Sequence, residues 1–297
     1  THALENNYEQ FKMKKNSELQ IIFKHLMRDP LGMIGFFIVM IIFLSAIFAD
    51  WLVPYDPIQL NIKDRLQGPS WSHLLGADQL GRDTFSRMIM GGRVALQVAL
   101  PTIFGAVSIG LILGMIAGFG PRWLDNIIIL FFDTLRSFPT VMFALAVVAL
   151  VGPSLSTVVF IIIATSIPTY GRVVRTQTLS IKSSEFILAE KSMGASTARI
   201  LRVHVLPNIL GPIAVLAAMD IPTIIGLEAG LSFLGMGVRP PTPSWGVLLN
   251  DGYSLIRNTP WLIIAGGIPL ILTTLGFTFL GESLRDVVDP KLRGKKR

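Results

Sequence analysis

The chain has no cysteine among its 297 residues. That absence removes disulfides, thiolate zinc sites and cysteine nucleophiles together. Histidine is nearly as scarce. His2, His25, His73 and His204 stand alone, none with a second ligand at helical spacing, and each is read as a surface or interface residue rather than a metal ligand. No G-x-x-x-x-G-K-[ST] loop occurs, so any nucleotide hydrolysis belongs to another chain. No serine sits in a nucleophile-elbow pattern. Nothing in the sequence reads as catalytic.

Charge is the other scarcity. Only 15% of the residues are charged against 51% apolar, and the mean hydropathy is +0.60. About 20 apolar residues at 1.5 Å rise cross the ~30 Å hydrocarbon core. Six runs qualify: Leu31–Ala49, Val94–Phe119, Ile127–Leu150, Ser154–Tyr170, Ile209–Gly235 and Pro260–Leu280. The third is interrupted near its start by Asp133 and Arg136, which at i,i+3 are expected to pair with each other. Gly152-Pro153 separates the third and fourth as a tight hairpin. The first run follows Lys12, Lys14, Lys15, Lys24 and Arg28 like a signal peptide. No small-residue cleavage site follows it, only Asp50 and Trp51, so a retained helix is expected. The chain opens with Thr rather than Met.

The 26 basic residues outnumber the 19 acidic ones, and their distribution orients the chain. An N-in, C-in arrangement puts the N-terminal lysines, Arg122, Arg172, Arg175, Lys182, Lys191, Arg199, Arg202 and the basic tail on the cytoplasmic side. Lys63, Arg65, Arg82, Arg87, Arg93, Arg239 and Arg257 fall outside; the cluster from Arg82 to Arg93 runs against the rule. Basic residues scattered over both sides exclude a nucleic-acid surface. The expected fold is all-α and polytopic. It comprises a cytoplasmic segment 1–30, a first transmembrane helix 31–53, an external segment 54–92, a core 93–281 with a cytoplasmic loop 172–208, and a basic tail 282–297.

Several features stand out within this plan. Asp83 is placed to cap a helix, with Arg82 and Arg87 reaching headgroups or carboxylates. Asp220 and Glu228 lie eight apart inside an apolar span, near one helix face; buried carboxylates of this kind usually face a water-filled path. The alternative is that Pro222 breaks the helix and one carboxylate caps it or pairs with Arg136 or Arg239. Gly110, Gly114 and Gly118 form a small-residue face on one helix, and Gly226 and Gly230 do the same on another.

The most informative stretch is Glu185–Asn208, a polar, helix-prone segment between two apolar runs. Phe186, Ile187, Ala189 and Glu190 make about two amphipathic turns; Gly194 then suits a left-handed helix end, Ser196 a new cap, and Leu206-Pro207 a break. A rigid helix–turn–helix at a membrane surface is a docking element.

This stretch resembles the cytoplasmic "EAA" loop of ABC importer permeases. Ala189, Glu190, Gly194, Leu206 and Pro207 fall at the expected spacing; Leu188 stands where the pattern has Glu and His204 where it has Ile, and Glu185 is a candidate substitute for the first Glu. Residues 76–87 resemble the G-[TA]-D-x-x-G-R-D-x-x-S-R signature of the dipeptide, oligopeptide and nickel permease group. Residues 231–246 and 281–292 resemble its S-F-L-G-x-G-x-x-P-P-x-P-x-W-G strip and its closing G-[DE]-x-L-R-D-x-x-D-P-[KR]-L.

The resemblance to the C-type subunit of these importers implies a type I ABC importer permease in the bacterial cytoplasmic membrane. It implies a homologous second permease, two ATPases holding ATP and Mg, an extracytoplasmic substrate-binding protein, and surrounding lipid. Glu185, Phe186, Ala189, Glu190, Gly194, Ala195, Leu206 and Pro207 would couple to the ATPases, and Asp220 and Glu228 would line the path. The implied cargo is a dipeptide or oligopeptide, with a nickel complex or glutathione as alternatives. A self-sufficient secondary transporter is the rival; six spans and no visible inverted repeat count against it.

Overall fold

A computed structural model describes residues 26–288. The expected N-terminal lysines and most of the basic tail lie outside the described residues. Helix α1 spans Pro30–Ile47, with Asp29 accepting a hydrogen bond from Leu31 N and Pro30 in the first turn, where its missing N–H costs nothing. A one-turn helix, α2 (Ala49–Leu52), follows. The chain then forms an irregular strap containing a 3-10 turn at Ile62–Asp64 and a single bridge between Ala77 and Asp83.

Helix α3 (Thr84–Phe119) starts ten residues before the apolar run that announces it. Asp83 caps it, accepting from Ser86 N at 2.7 Å, as its position predicts. The remaining helices are α4 (Arg122–Ser137), α5 (Thr140–Val151), α6 (Leu155–Lys182), α7 (Glu185–Ser192) and α8 (Thr197–Ile200). A π turn (Leu201–Val205) then leads into α9 (Leu206–Phe233), α10 (Trp245–Ser254) and α11 (Trp261–Val288). Among the described residues five helical stretches are long and apolar enough to cross a membrane: α1, α3, α6, Thr197–Phe233 and α11.

The third expected span is not one straight helix. Helices α4 and α5 bend by 87° at Phe138-Pro139, and together they make the sixth candidate crossing. Proline lacks the N–H that would continue the ladder and forces the residue before it out of helical geometry; Phe138 sits at ψ 128°. Asp133 and Arg136 do not pair with each other. Asp133 instead meets Arg172 on α6, while Asp125 receives Arg175 through two bonds of 2.5 and 2.6 Å.

Among the described residues the most extensive helix contact is α3 on α6. A Cβ on Gly110 would lie 2.7 Å from Tyr170 Cβ, one on Gly114 would lie 2.5 Å from Gly171 O, and one on Gly118 would lie 2.8 Å from Thr178 Cβ. The expected small-residue face is therefore filled within this chain. Gly226 and Gly230 differ: nothing lies within 4 Å of either added Cβ, so that face is open.

The chain has two dissimilar ends. At one, the arginines that run against the charge rule are neutralised. Buried Arg82 donates to buried Asp78 at 2.7 Å, Arg87 lies 3.6 Å from the same carboxylate, and Arg93 grips Asp50 at 2.8 and 2.9 Å. Arg87 also donates to Pro57 O at 3.2 Å, fastening the strap to α3. The other end carries α7 and α8.

Candidate functional site

Residues 183–206 fold as the expected helix–turn–helix. Ser184 precedes α7, whose last residue Ser192 is followed by the cap residue Met193; Gly194 comes next with φ +84°. Gly194 N–H donates to Lys191 O and Ala195 N–H to Glu190 O, both at 3.0 Å. That pair of bonds is a Schellman closure, which needs a left-handed residue and so glycine. Ser196 accepts from Arg199 N at 3.4 Å and starts α8.

One difference from expectation lies at Leu206-Pro207. No break occurs there, because Pro207 occupies the first turn of α9, and the irregularity falls earlier as the π turn. His204, which stands where the pattern has Ile, lies in that turn. Its Nε2 is 3.3 Å from Glu190 Oε1, and its ring meets Phe186 edge-on at 5.8 Å, which ties α7 to the turn.

The element is anchored on one side and bare on the other. Ile187, Ile200 and Val205 are fully buried in a cluster with Phe119, Tyr170, Val174, Ile209 and Ile213. Lys182 donates to Gly118 O and Phe119 O, and the Lys191 ammonium lies 4.7 Å from the Phe119 ring centroid. Meanwhile Phe186, Leu188, Met193 and Val203 are exposed beside Glu185 and Ala189. Nothing in this chain covers these apolar side chains, although the scaffold that carries them is rigid.

The two membrane carboxylates separate in role. Helix α9 continues through Pro212 and Pro222, so neither proline breaks it. Asp220 is partly exposed, and buried Tyr170 donates to its Oδ2 at 2.9 Å. Glu228 is fully buried, accepts from Ser232 Oγ at 2.6 Å, and faces Ser244 at the start of α10. Glu228 therefore lines no open surface in this structure, and neither carboxylate meets Arg136 or Arg239.

A second polar cluster escaped the sequence reading. His73 is buried, not a surface residue. Its Nδ1 lies 2.8 Å from Asp83 Oδ1, its Nε2 3.4 Å from Asp64 Oδ2, and its ring 4.9 Å from that of Tyr55. Burial pulls the imidazole pKa down, but the hydrogen bonds and charges of Asp83 and Asp64 outweigh it and leave it above its ordinary value. Among the described residues no group of three or more side chains is arranged to hold a metal ion.

Comparison with known proteins decides the family. Residues 110–294 match the binding-protein-dependent transport system inner membrane component, and residues 17–69 match the N-terminal transmembrane domain of oligopeptide transport permease C. The chain belongs to the binding-protein-dependent transport permeases. Among curated relatives, the dipeptide transport system permease protein DppC of Alkalihalophilus pseudofirmus is 40% identical, covering 91% of this chain and 89% of that one. The glutathione transport system permease protein GsiD of Pectobacterium atrosepticum is 41% identical over 87% and 86%. The di/tripeptide permease DppC of Pseudomonas aeruginosa is 36% identical over 87% and 88%.

The permease also shares its fold with a chain of the inward-facing MetNI methionine ABC transporter. The TM-score is 0.57 at 19% identity, covering 68% of this chain and 97% of that one. It is a multi-pass inner-membrane subunit with the type I ABC importer permease fold.

Proposed function

We propose that this permease carries small peptides inward as one half of a pathway completed by a homologous second permease. Two ATPases holding ATP and Mg dock on the surface formed by Glu185, Phe186, Ala189, Glu190, Gly194, Ala195, Leu206 and Pro207, and an extracytoplasmic binding protein delivers the cargo. The observation that carries the reading is the docking element itself, rigidly capped, rooted in the core, and bare on its outer face. With no phosphate-binding loop in the sequence, hydrolysis falls to the ATPases and this chain is non-catalytic. The docking side faces the cytoplasm, in keeping with its lysines and arginines.

The second permease is supported by the empty space beside Gly226 and Gly230 on α9, where a neighbouring helix can approach closely. Small peptides are supported by the names of the relatives, since dipeptides, tripeptides and glutathione share a free α-amino group and a carboxylate. Asp220 supplies the matching charge within the membrane. At ~4 Å and an effective dielectric near 20, its attraction for an ammonium is about 4 kcal/mol before desolvation. Nucleotide-driven closure draws the docking elements together and favours whichever state of the path each ligand binds better.

The test is uptake of a labelled dipeptide by proteoliposomes. Import that requires ATP, both permeases, the ATPases and the binding protein is the expected result. Import by this chain alone would establish a secondary transporter instead.

A further inference from the structure

At the strap end of the molecule, α1 and α3 leave a groove between them of about 360 Å³. Its floor is apolar, formed by Ile47 of α1 and by Leu100 and Pro101 of α3. Arg93 and Gln97 are its polar walls, one turn apart on the same face of α3. Arg93 closes the top. It donates to Ala46 O and Ile47 O, both at 3.2 Å, which satisfies carbonyls that the end of α1 leaves without intrahelical partners. Two further bonds hold Asp50. These contacts use four of the five guanidinium N–H groups, and the second N–H on Nη1 has no acceptor among the described residues.

The surroundings set the depth of the groove in a bilayer. Beside its top, Phe48 and Trp51 stack with ring centroids 5.5 Å apart, and Trp51 is 83% exposed, as aromatic rings are at the headgroup level. Leu100 and Phe104, deeper along α3, are exposed as side chains facing hydrocarbon are. Gln97 lies between these levels, about 6 Å along the helix from Arg93. Its side-chain amide is exposed and has no hydrogen-bond partner among the described residues. Hydrocarbon alone would leave that amide unsatisfied.

We infer that the groove holds one membrane phospholipid with a phosphoethanolamine headgroup. A phosphate oxygen accepts from the spare Nη1 N–H of Arg93, and the ammonium sits beside Asp50. An ester carbonyl accepts from Gln97, and an acyl chain runs over Leu100 and Pro101. The groove thus offers charge, then a hydrogen-bond donor, then hydrocarbon, the order of a glycerophospholipid from headgroup to tail. Charge complementarity selects the headgroup. Arg93 and Asp50 sum to zero and match a zwitterion, whereas phosphoglycerol brings the phosphate without the cation and sets its charge against Asp50. A helix of a partner subunit would cover the apolar floor, but its backbone bonds are closed on themselves and offer Arg93 and Gln97 no acceptor.

The test uses the assembled importer in phosphatidylcholine vesicles. Two probes, phosphatidylethanolamine and phosphatidylglycerol with the same diazirine-bearing acyl chain, are each added at trace level and illuminated. The phosphatidylethanolamine probe should label residues 96–104 roughly tenfold more than the phosphatidylglycerol probe, the worth of one charge-assisted hydrogen bond. Asp50→Asn should level the two probes, and Leu100→Trp should fill the groove and remove labelling by both. Asp50 is 65% exposed at its side chain and Leu100 49% exposed, so neither change disturbs the packing of α1 on α3. Equal labelling by the two probes in the wild-type importer overturns the headgroup assignment. Labelling undiminished by Leu100→Trp, or a crosslink from Leu100→Cys to a partner subunit, overturns the groove as a lipid site.

Discussion

Gly194 gives the sharpest test of the docking element, because its surroundings separate backbone strain from steric clash. Its φ is +84°, and nothing lies within 4 Å of an added Cβ. A substitution therefore meets no neighbour in this chain and costs only the strain of holding an L-residue in the left-handed region. That strain is about 1–3 kcal/mol and greatest for a β-branched side chain. At 1.4 kcal/mol per decade this is roughly a 5- to 150-fold shift toward an opened cap. Asparagine visits the same region more readily, so the expected order of damage is Asn, then Ala, then Val.

The assay is recovery of the ATPases with the affinity-purified permease. Hydrogen exchange across residues 185–205 provides the structural readout. Gly194→Val should lose ATPase and exchange faster at Ala195 N–H, whose bond to Glu190 O depends on the turn, while the membrane helices stay protected. Wild-type ATPase recovery with the Val variant refutes the argument. Equal loss in the Asn and Val variants refutes it differently, by showing that an ATPase packs against this position and rejects any side chain.

Three further outcomes are expected. Gly114→Leu should unfold the α3–α6 contact, where a Cβ already lies 2.5 Å from Gly171 O, and cut the yield of the chain itself. Gly226→Leu should leave that yield unchanged but abolish co-purification of the second permease; loss of the chain in both cases would show that the α9 face is filled from within. The raised pKa of His73 makes its contribution to the strap complete below about pH 6.5 and lost as pH rises through the folded value. Protection over residues 55–83, corrected for the intrinsic rise of amide exchange with pH, should fall as pH rises above about 6.5 and stay level in His73→Gln, with an unchanged profile in that variant counting against the Asp64–His73–Asp83 bridge. Asp220→Asn should lower dipeptide uptake without loss of complex, and Asp220→Cys should react with a water-soluble thiol reagent in this cysteine-free chain; full uptake with no labelling would make Asp220 a structural partner of Tyr170.

The spans and the docking turn were legible because each rests on local pattern. An apolar run long enough to cross a bilayer, or a glycine between two short helical patterns, needs no knowledge of the rest of the fold. The bend at Phe138-Pro139 left the same kind of mark, a proline inside an apolar run, but hydropathy passed over it. What could not be read were pairings made across helices. Asp133 had a tempting partner three residues away, yet Arg172 on the neighbouring helix α6 meets it instead. His73 looked isolated because its two carboxylates lie nine and ten residues off and meet it only when the strap folds back. Asp220 and Glu228 looked equivalent on one helix, and only the placement of Tyr170, Ser232 and Ser244 separates an open carboxylate from a sealed one.

A connection between the proposed docking surface and Asp220 follows from one shared core. Ile187, Ile200 and Val205 of the docking element pack in a single cluster with Tyr170 and Val174 of α6 and with Ile209, Ile213 and Ala217 of α9. Tyr170 in turn holds Asp220, three residues beyond Ala217. From Ile209 to Asp220 the helix rises about 16 Å. A close-packed cluster does not compress, so a shift of α7 and α8 must either carry α9 with it or be absorbed where the backbone is irregular. Between them the only such place among the described residues is the π turn Leu201–Val205. That turn is pinned at both ends, since Ile200 before it and Val205 at its close are fully buried in the same cluster. His204 adds a third tie to α7 through Glu190. With the soft segment clamped on both sides, displacement passes into α9, and the carboxylate that Tyr170 orients moves with the surface an ATPase would grip.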